Sequence, residues 1–145
     1  MGWWSETIMG GDTPLDYMGM LCDLIGVKYV SPKGFRYTRK QIETHMPKVL
    51  AWLNKPRYEN EIAWQVFGVM VMETGAKISV ETRAKIIQAA KADTWMTEDG
   101  THSSRGHHIR AFIKAIEAHK AGQKTKSTCE DLFQVLDKRL AQGAR

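Results

Sequence analysis

One stretch of the chain is hydrophobic on almost every side of the helix that it predicts. Residues 58–74 read YENEIAWQVFGVMVMET, and their apolar positions recur at helical spacing around more than one face. A helix with so little polar surface must be covered by other helices, so we expect it to be the central element. Gly68 lies in its middle, where glycine costs about 1 kcal/mol relative to alanine. We therefore interpret Gly68 as the point where another helix approaches closely, and expect Gly75 to end the helix.

Helix start and stop signals divide the rest of the chain. Capping residues precede apolar stripes with three- and four-residue spacing, and strand-like alternation is scarce. Pro47 lies inside one predicted helix, so a kink is expected near Thr44. Residues 27–37 predict an aromatic-packed loop, with a short hairpin as the alternative. We therefore predict one all-α domain over residues 1–145. Its helices would form antiparallel pairs, arranged either as a bundle or as a short solenoid. The predicted helices are 13–26, 38–54, 58–75, 79–92, 105–120 and 127–143.

Length, cysteines and hydropathy define the class of protein. A chain of 145 residues buries a sufficient core without disulfides. Cys22 lies on an apolar helical face and is expected in the core, and Cys129 is too distant in sequence to indicate a disulfide framework. No segment reaches the roughly 18 apolar residues of a membrane span, and the first residues do not resemble a signal peptide. We expect a cytoplasmic protein with no membrane association.

Positive charge is concentrated in the second half of the chain. Residues 76–145 hold thirteen Lys/Arg and eight Asp/Glu, whereas residues 1–75 hold eight of each. Such a surface suits an acidic protein partner or a nucleic-acid backbone, although it is equally typical of a solvated face. Glu117 interrupts the basic stripe, and no aromatic residues alternate with the cations, as single-strand binding would prefer. The candidate docking residues are Arg105, Arg110, Lys114 and Lys120.

The first residues concentrate aromatic and apolar side chains. Trp3 and Trp4 precede Ile8 and Met9, and a Gly-Gly turn at 10–11 allows the chain to fold back. We expect this segment to pack onto the helices and close the core. The alternative is a binding surface that uses Trp3 and Trp4, since tryptophan is enriched at interface hot spots. Exposed tryptophans here would also favour a dimer.

A histidine-rich segment is the only candidate for a metal site. His102, His107 and His108 follow Asp99, and these side chains could bind Zn²⁺ or another divalent metal, as in a metal-dependent hydrolase. The spacing matches no ligand signature such as HExxH, and adjacent helical residues point about 100° apart. We interpret the segment as a solvated loop that leads into a helix. The chain has no GxSxG, phosphate-loop or SxxK motif, so we expect no cofactor and a non-enzymatic role.

The beginning of the chain resembles an uncharacterised bacterial and phage family of small helical proteins. The resemblance rests on Met-Gly-x-Trp at 1–4, a glycine turn and Asp-x-x-Leu-Asp at 12–16. Residues 63–75 are similar to the family's Ala-rich helix ending in Gly, and residues 79–95 to its capped helix with a Trp-containing link. The resemblance implies an all-helical fold and a bacterial or phage setting, and it implies no activity or catalytic residues.

These observations favour a protein-interaction module of the inhibitor or immunity type. It would dock a preformed helical surface onto another macromolecule. A nucleic-acid-binding protein that uses the basic C-terminal half and a metal-dependent hydrolase are the two alternatives.

Overall fold

The computed structural model describes residues 8–9, 12–27, 36–93 and 103–125. Those residues form helices and loops with no strand, which confirms the all-α prediction. Four predicted helices match the observed ones to within two residues at each end. The predicted helix 127–143 lies outside the described residues, as do positions 28–35 of the predicted loop. The helices are α1 (Asp12–Leu24), α2 (Arg39–Thr44), α3 (Met46–Leu53), α4 (Asn60–Thr74), α5 (Val80–Lys91) and α6 (Ser103–Ala118).

Helix α4 is the centre of the fold, as its sequence predicted. Every residue from 62 to 72 is buried. Helices α1 and α5 cover most of it, α2 and α3 cover the remainder, and α6 packs on α5. Cys22 of α1 has no exposed surface, as expected, and burial is the main reason that the pKa of its thiol rises to about 12.

Gly68 is the point of close approach that the sequence indicated. A Cβ atom at this position would lie 2.6 Å from Cζ of Phe112 and 2.9 Å from Cγ2 of Ile86. Both neighbouring side chains are themselves buried, so neither has free space into which it can move. Glycine therefore allows α5 and α6 to pack directly against α4.

The helix predicted over 38–54 is two helices, which corrects the expectation of one kinked helix. Thr38 precedes α2 and forms a capping box with Gln41, and the chain leaves helical geometry at His45. Pro47 then lies in the first turn of α3. Proline lacks the donor that would continue α2 and clashes with the carbonyl four residues earlier, so the ladder breaks there instead of bending.

The chain after α6 is attached to the end of α4 through backbone hydrogen bonds. Gly75 and Gly122 both have positive φ, and the amide of Gly122 donates to the carbonyl of Gly75 over 2.8 Å. The amide of Thr125 donates to the carbonyl of Met72 over 2.8 Å. These bonds hold the end of α6 against the central helix. Within the described part of the chain, none of the helices has the length and hydrophobicity needed to cross a bilayer.

Candidate docking surface

Helix α6 separates its apolar and basic residues onto different faces. Ile109, Phe112 and Ile116 are at most 1% exposed and belong to the core. Arg110 and Lys114 are exposed on the opposite side. This arrangement follows from the helical repeat, because residues three and four apart share a face.

The outer face of α6 and the loop after it carry unpaired positive charge. Residues 103–125 contain five Lys/Arg and one Glu. Among the residues that the structure describes, Arg110, Lys114 and Lys120 take part in no ion pair. Glu117 is also exposed, so the face is basic with one acidic position. We refer to Arg110, Lys114, Lys120 and their exposed surroundings as the basic face.

The basic face is held rigidly from beneath by Arg83 of α5. Its Nη1 atom donates to the carbonyls of Ile116 over 2.6 Å, of Glu117 over 3.2 Å and of His119 over 2.8 Å. These bonds satisfy the carbonyls of Glu117 and His119 at the end of the helix. The carbonyl of Ile116 also accepts from the amide of His119 over 3.3 Å. The ring of His119 is 4% exposed, and its Nε2 lies 2.8 Å from the carbonyl oxygen of Ala76, to which it must donate. These bonds therefore attach the end of α6 to α5 and to the chain that follows α4.

The structure describes the side chains of only some of the predicted docking residues. The side chain of Arg105 lies outside the described residues, as do Trp3 and Trp4. Ile8 and Met9, the apolar end of the same N-terminal segment, are 2% and 0% exposed and lie in the core. Their burial confirms the packing prediction for Ile8 and Met9.

Two of the four candidate metal ligands can be placed. His107 is exposed and His108 is half-buried, with ring centroids 5.8 Å apart and planes inclined at 70°. Asp99 and His102 lie outside the described residues. Within the described ranges, no three His, Cys, Asp or Glu side chains are grouped as metal ligands. The metal site therefore stays an untested alternative to the solvated loop that the sequence favoured.

A polar groove, which no sequence pattern predicted, lies on another side of α5. It has a cavity volume of about 340 Å³ and is formed where α3 ends, α4 begins and the later turns of α5 pass. Lys85 spans it, because its Nζ donates to Oδ1 of Asn54 over 2.8 Å and lies 5.9 Å from the ring centroid of Trp64. The groove is lined by Leu53, Asn54, Asn60, Glu61, Trp64, Lys85, Gln88, Ala89 and Ala92.

A buried polar pair lies next to this groove. Gln65 and Asp93 are 0% and 2% exposed, and Nε2 of Gln65 donates to Oδ2 of Asp93 over 2.9 Å. The pKa of the groove residue Glu61 is raised, first by burial and then by the charges of Asp93 and Glu59. One signal was present in the sequence: a glutamine at a buried position of an apolar helix requires a polar partner.

Comparison of the chain with protein-family models, curated proteins and solved structures finds no match. The resemblance of the first residues to a bacterial and phage family therefore stays a prediction.

Proposed function

We propose that this protein is a non-enzymatic interaction module that docks its basic face onto the acidic surface of a partner protein. One observation carries the proposal: Arg110 and Lys114 on α6, and Lys120 in the loop after it, are exposed and in no ion pair within the described residues, while the other face of α6 lies in the core. Exposed charges of this kind steer association and select partners of opposite charge. The inhibitor or immunity type is the subclass that we propose, acting in the cytoplasm of a bacterium or of a phage-infected cell.

The composition of the face supports a protein partner over a nucleic acid. Phe112, the aromatic residue of α6 apart from its histidines, is buried and cannot stack on a base. Glu117 is exposed among the cations and would face the phosphates of a bound strand. A protein surface of mixed charge accommodates both signs.

The test is affinity capture of the tagged protein from a lysate of the organism that encodes it, at low and at high salt, with nuclease added. We expect one stoichiometric protein that survives nuclease and weakens with salt. The variant Arg110→Glu/Lys114→Glu should abolish capture. The matched control is Lys40→Glu/Lys48→Glu, which changes two exposed lysines on α2 and α3 by the same charge and should retain the partner.

Three results would contradict the proposal. Capture that disappears with nuclease would indicate a nucleic-acid partner. Equal loss in both charge-reversal variants would show a general effect of net charge. A captured protein that ignores the reversal at Arg110 and Lys114 would place the interface elsewhere on the molecule.

A further inference from the structure

We propose that the groove between the end of α3, the start of α4 and the later turns of α5 binds a short extended peptide segment of the partner protein. This inference rests on the proposed function, because it names a second contact that the same partner makes. It is carried by the side chains that line the groove and by the loop at its edge.

The groove offers hydrogen-bonding groups that match a peptide main chain. Asn54 and Gln88 are exposed at its rim, and among the described residues the carboxamide of Gln88 has no partner. Oδ1 of Asn54 accepts from Lys85, which leaves the Nδ2 group of Asn54 able to donate outward. A carboxamide presents donors and an acceptor in the same plane, as a peptide unit does. The pair can therefore bond main-chain carbonyl and amide groups of any sequence.

The charge of the groove favours a segment that is neutral overall. Its lining contains one carboxylate, Glu61, and one ammonium group, Lys85. A phosphate would be repelled by the carboxylate of Glu61, and a metal ion would be repelled by the ammonium group of Lys85. The charges of the groove therefore match neither ligand. A peptide main chain carries no net charge and supplies both donors and acceptors.

The floor of the groove selects a peptide over a carbohydrate. Trp64 is 6% exposed, and Leu53 and Ala89 beside it are also buried. These side chains give an apolar base for one small side chain, but they expose no aromatic face on which a sugar ring could stack. A cavity of about 340 Å³ lies at the small end of binding clefts. It suits a few extended residues and not a helix.

An exposed tyrosine lies on the loop that joins the lining residues Asn54 and Asn60. Tyr58 is 81% exposed and precedes the lining residue Asn60 by two positions. Its carbonyl accepts from the hydroxyl of Tyr17. The neighbouring Arg57 donates to the carbonyl of Trp52 over 2.5 Å and stacks 3.6 Å from its ring centroid. The backbone of the loop is therefore anchored next to the exposed Tyr58 side chain, and tyrosine is a residue type typical of interface hot spots.

The test is selection of a randomised decapeptide display library on the immobilised protein, followed by affinity measurements with the enriched peptides. We expect peptides that bind wild type and lose about tenfold in affinity to Asn54→Ala/Gln88→Ala, the effect of one or two net hydrogen bonds. Tyr58→Ala should weaken the same peptides. Gln123→Ala, an exposed glutamine outside the groove, is the matched control and should bind as wild type does.

Two further measurements separate a loss of peptide binding from a loss of protein stability. Thermal unfolding midpoints are measured for every variant, so that lost binding is separated from lost stability. Asn54→Ala should lower the midpoint slightly because it removes the acceptor of Lys85, whereas Gln123→Ala should leave the midpoint unchanged. Titration of wild type with an enriched peptide should shift the indole N–H resonance of Trp64 in NMR spectra. A peptide that binds without this shift binds elsewhere and would overturn the proposal.

The other outcomes separate this inference from the proposed function. The groove proposal fails if no peptide is enriched above a selection without protein. It also fails if Asn54→Ala/Gln88→Ala leaves peptide binding unchanged. Neither outcome bears on the docking role of the basic face. If the wild-type protein binds oligosaccharides on an array and Asn54→Ala/Gln88→Ala does not, the ligand of the groove is a carbohydrate and the peptide proposal fails. If Arg110→Glu/Lys114→Glu abolishes peptide binding, the peptides occupy the basic face and the groove proposal fails.

Discussion

At the scale of single residues, Gly68 shows how the absence of one methyl group sets the packing of three helices. The central helix α4 loses helix propensity at this position, by about 1 kcal/mol relative to alanine. The structure explains the choice, since a Cβ atom would lie within 2.9 Å of both Phe112 and Ile86. Contacts this short cannot be relieved cheaply when the neighbouring side chains are fully enclosed.

We expect Gly68→Ala to destabilise the protein. Overpacking of this kind costs about 1–3 kcal/mol, and the gain in helix propensity offsets roughly 1 kcal/mol of that loss. The measurement is the midpoint of denaturant-induced unfolding. The control is a double-mutant cycle with Phe112→Leu, whose smaller side chain should make the combined cost lower than the sum of the single costs. A Gly68→Ala protein more stable than wild type would contradict this expectation, because the cost of overpacking would then be smaller than the gain in helix propensity.

At the scale of elements, the end of α6 depends on a residue from another helix. Arg83 lies on α5, and the sequence alone predicts only an exposed cation on a helix. In the structure, its guanidinium donates to three carbonyls at the end of α6. One side chain thereby caps α6 and fixes its orientation relative to α5.

We expect Arg83→Met to lower the free energy of unfolding by about 1.5–3 kcal/mol, the range for hydrogen bonds to a charged group. Methionine keeps much of the aliphatic stem but removes the donor to the carbonyls of Glu117 and His119, whereas the carbonyl of Ile116 keeps its bond from the amide of His119. Hydrogen exchange should locate the effect in the chain around 116–123. Lys48→Met, an exposed cation on α3, is the control and should change stability by less than about 0.5 kcal/mol. Equal exchange protection in wild type and Arg83→Met would contradict the capping role.

The same elements show what the sequence can predict. The starts of α2 and α5 were predictable because Thr38 and Ser79 each accept a hydrogen bond from a backbone amide three residues later. Such a signal is contained in four consecutive residues. The contact from Arg83 to Ile116 joins residues 33 positions apart, and Lys85 reaches Asn54 over 31 positions. No local pattern encodes these pairs, since they exist only after the helices have packed.

At the scale of the whole molecule, charge is unevenly distributed across the layer of helices. Helix α1 contains three Asp and no Lys or Arg, and it packs on α4. Helix α6, with the basic face, packs on α5. The polar groove uses Lys85, Gln88, Ala89 and Ala92 of α5, whereas Arg83 of α5 holds α6. The two proposed contact surfaces therefore share one helix as their support and use different residues of it.

This arrangement predicts that the two surfaces affect binding kinetics differently. With the partner identified by capture, Arg110→Glu/Lys114→Glu should reduce the association rate at low salt by roughly tenfold or more, because exposed charges act mainly through steering. The association rate that remains should depend little on salt. Asn54→Ala/Gln88→Ala should instead raise the dissociation rate, since short-range hydrogen bonds act after contact, and should leave the salt dependence as in wild type. Surface plasmon resonance over a series of salt concentrations measures both rates. An unchanged salt dependence after reversal of Arg110 and Lys114 would show that the basic face does not guide association, even if the groove variant behaves as expected.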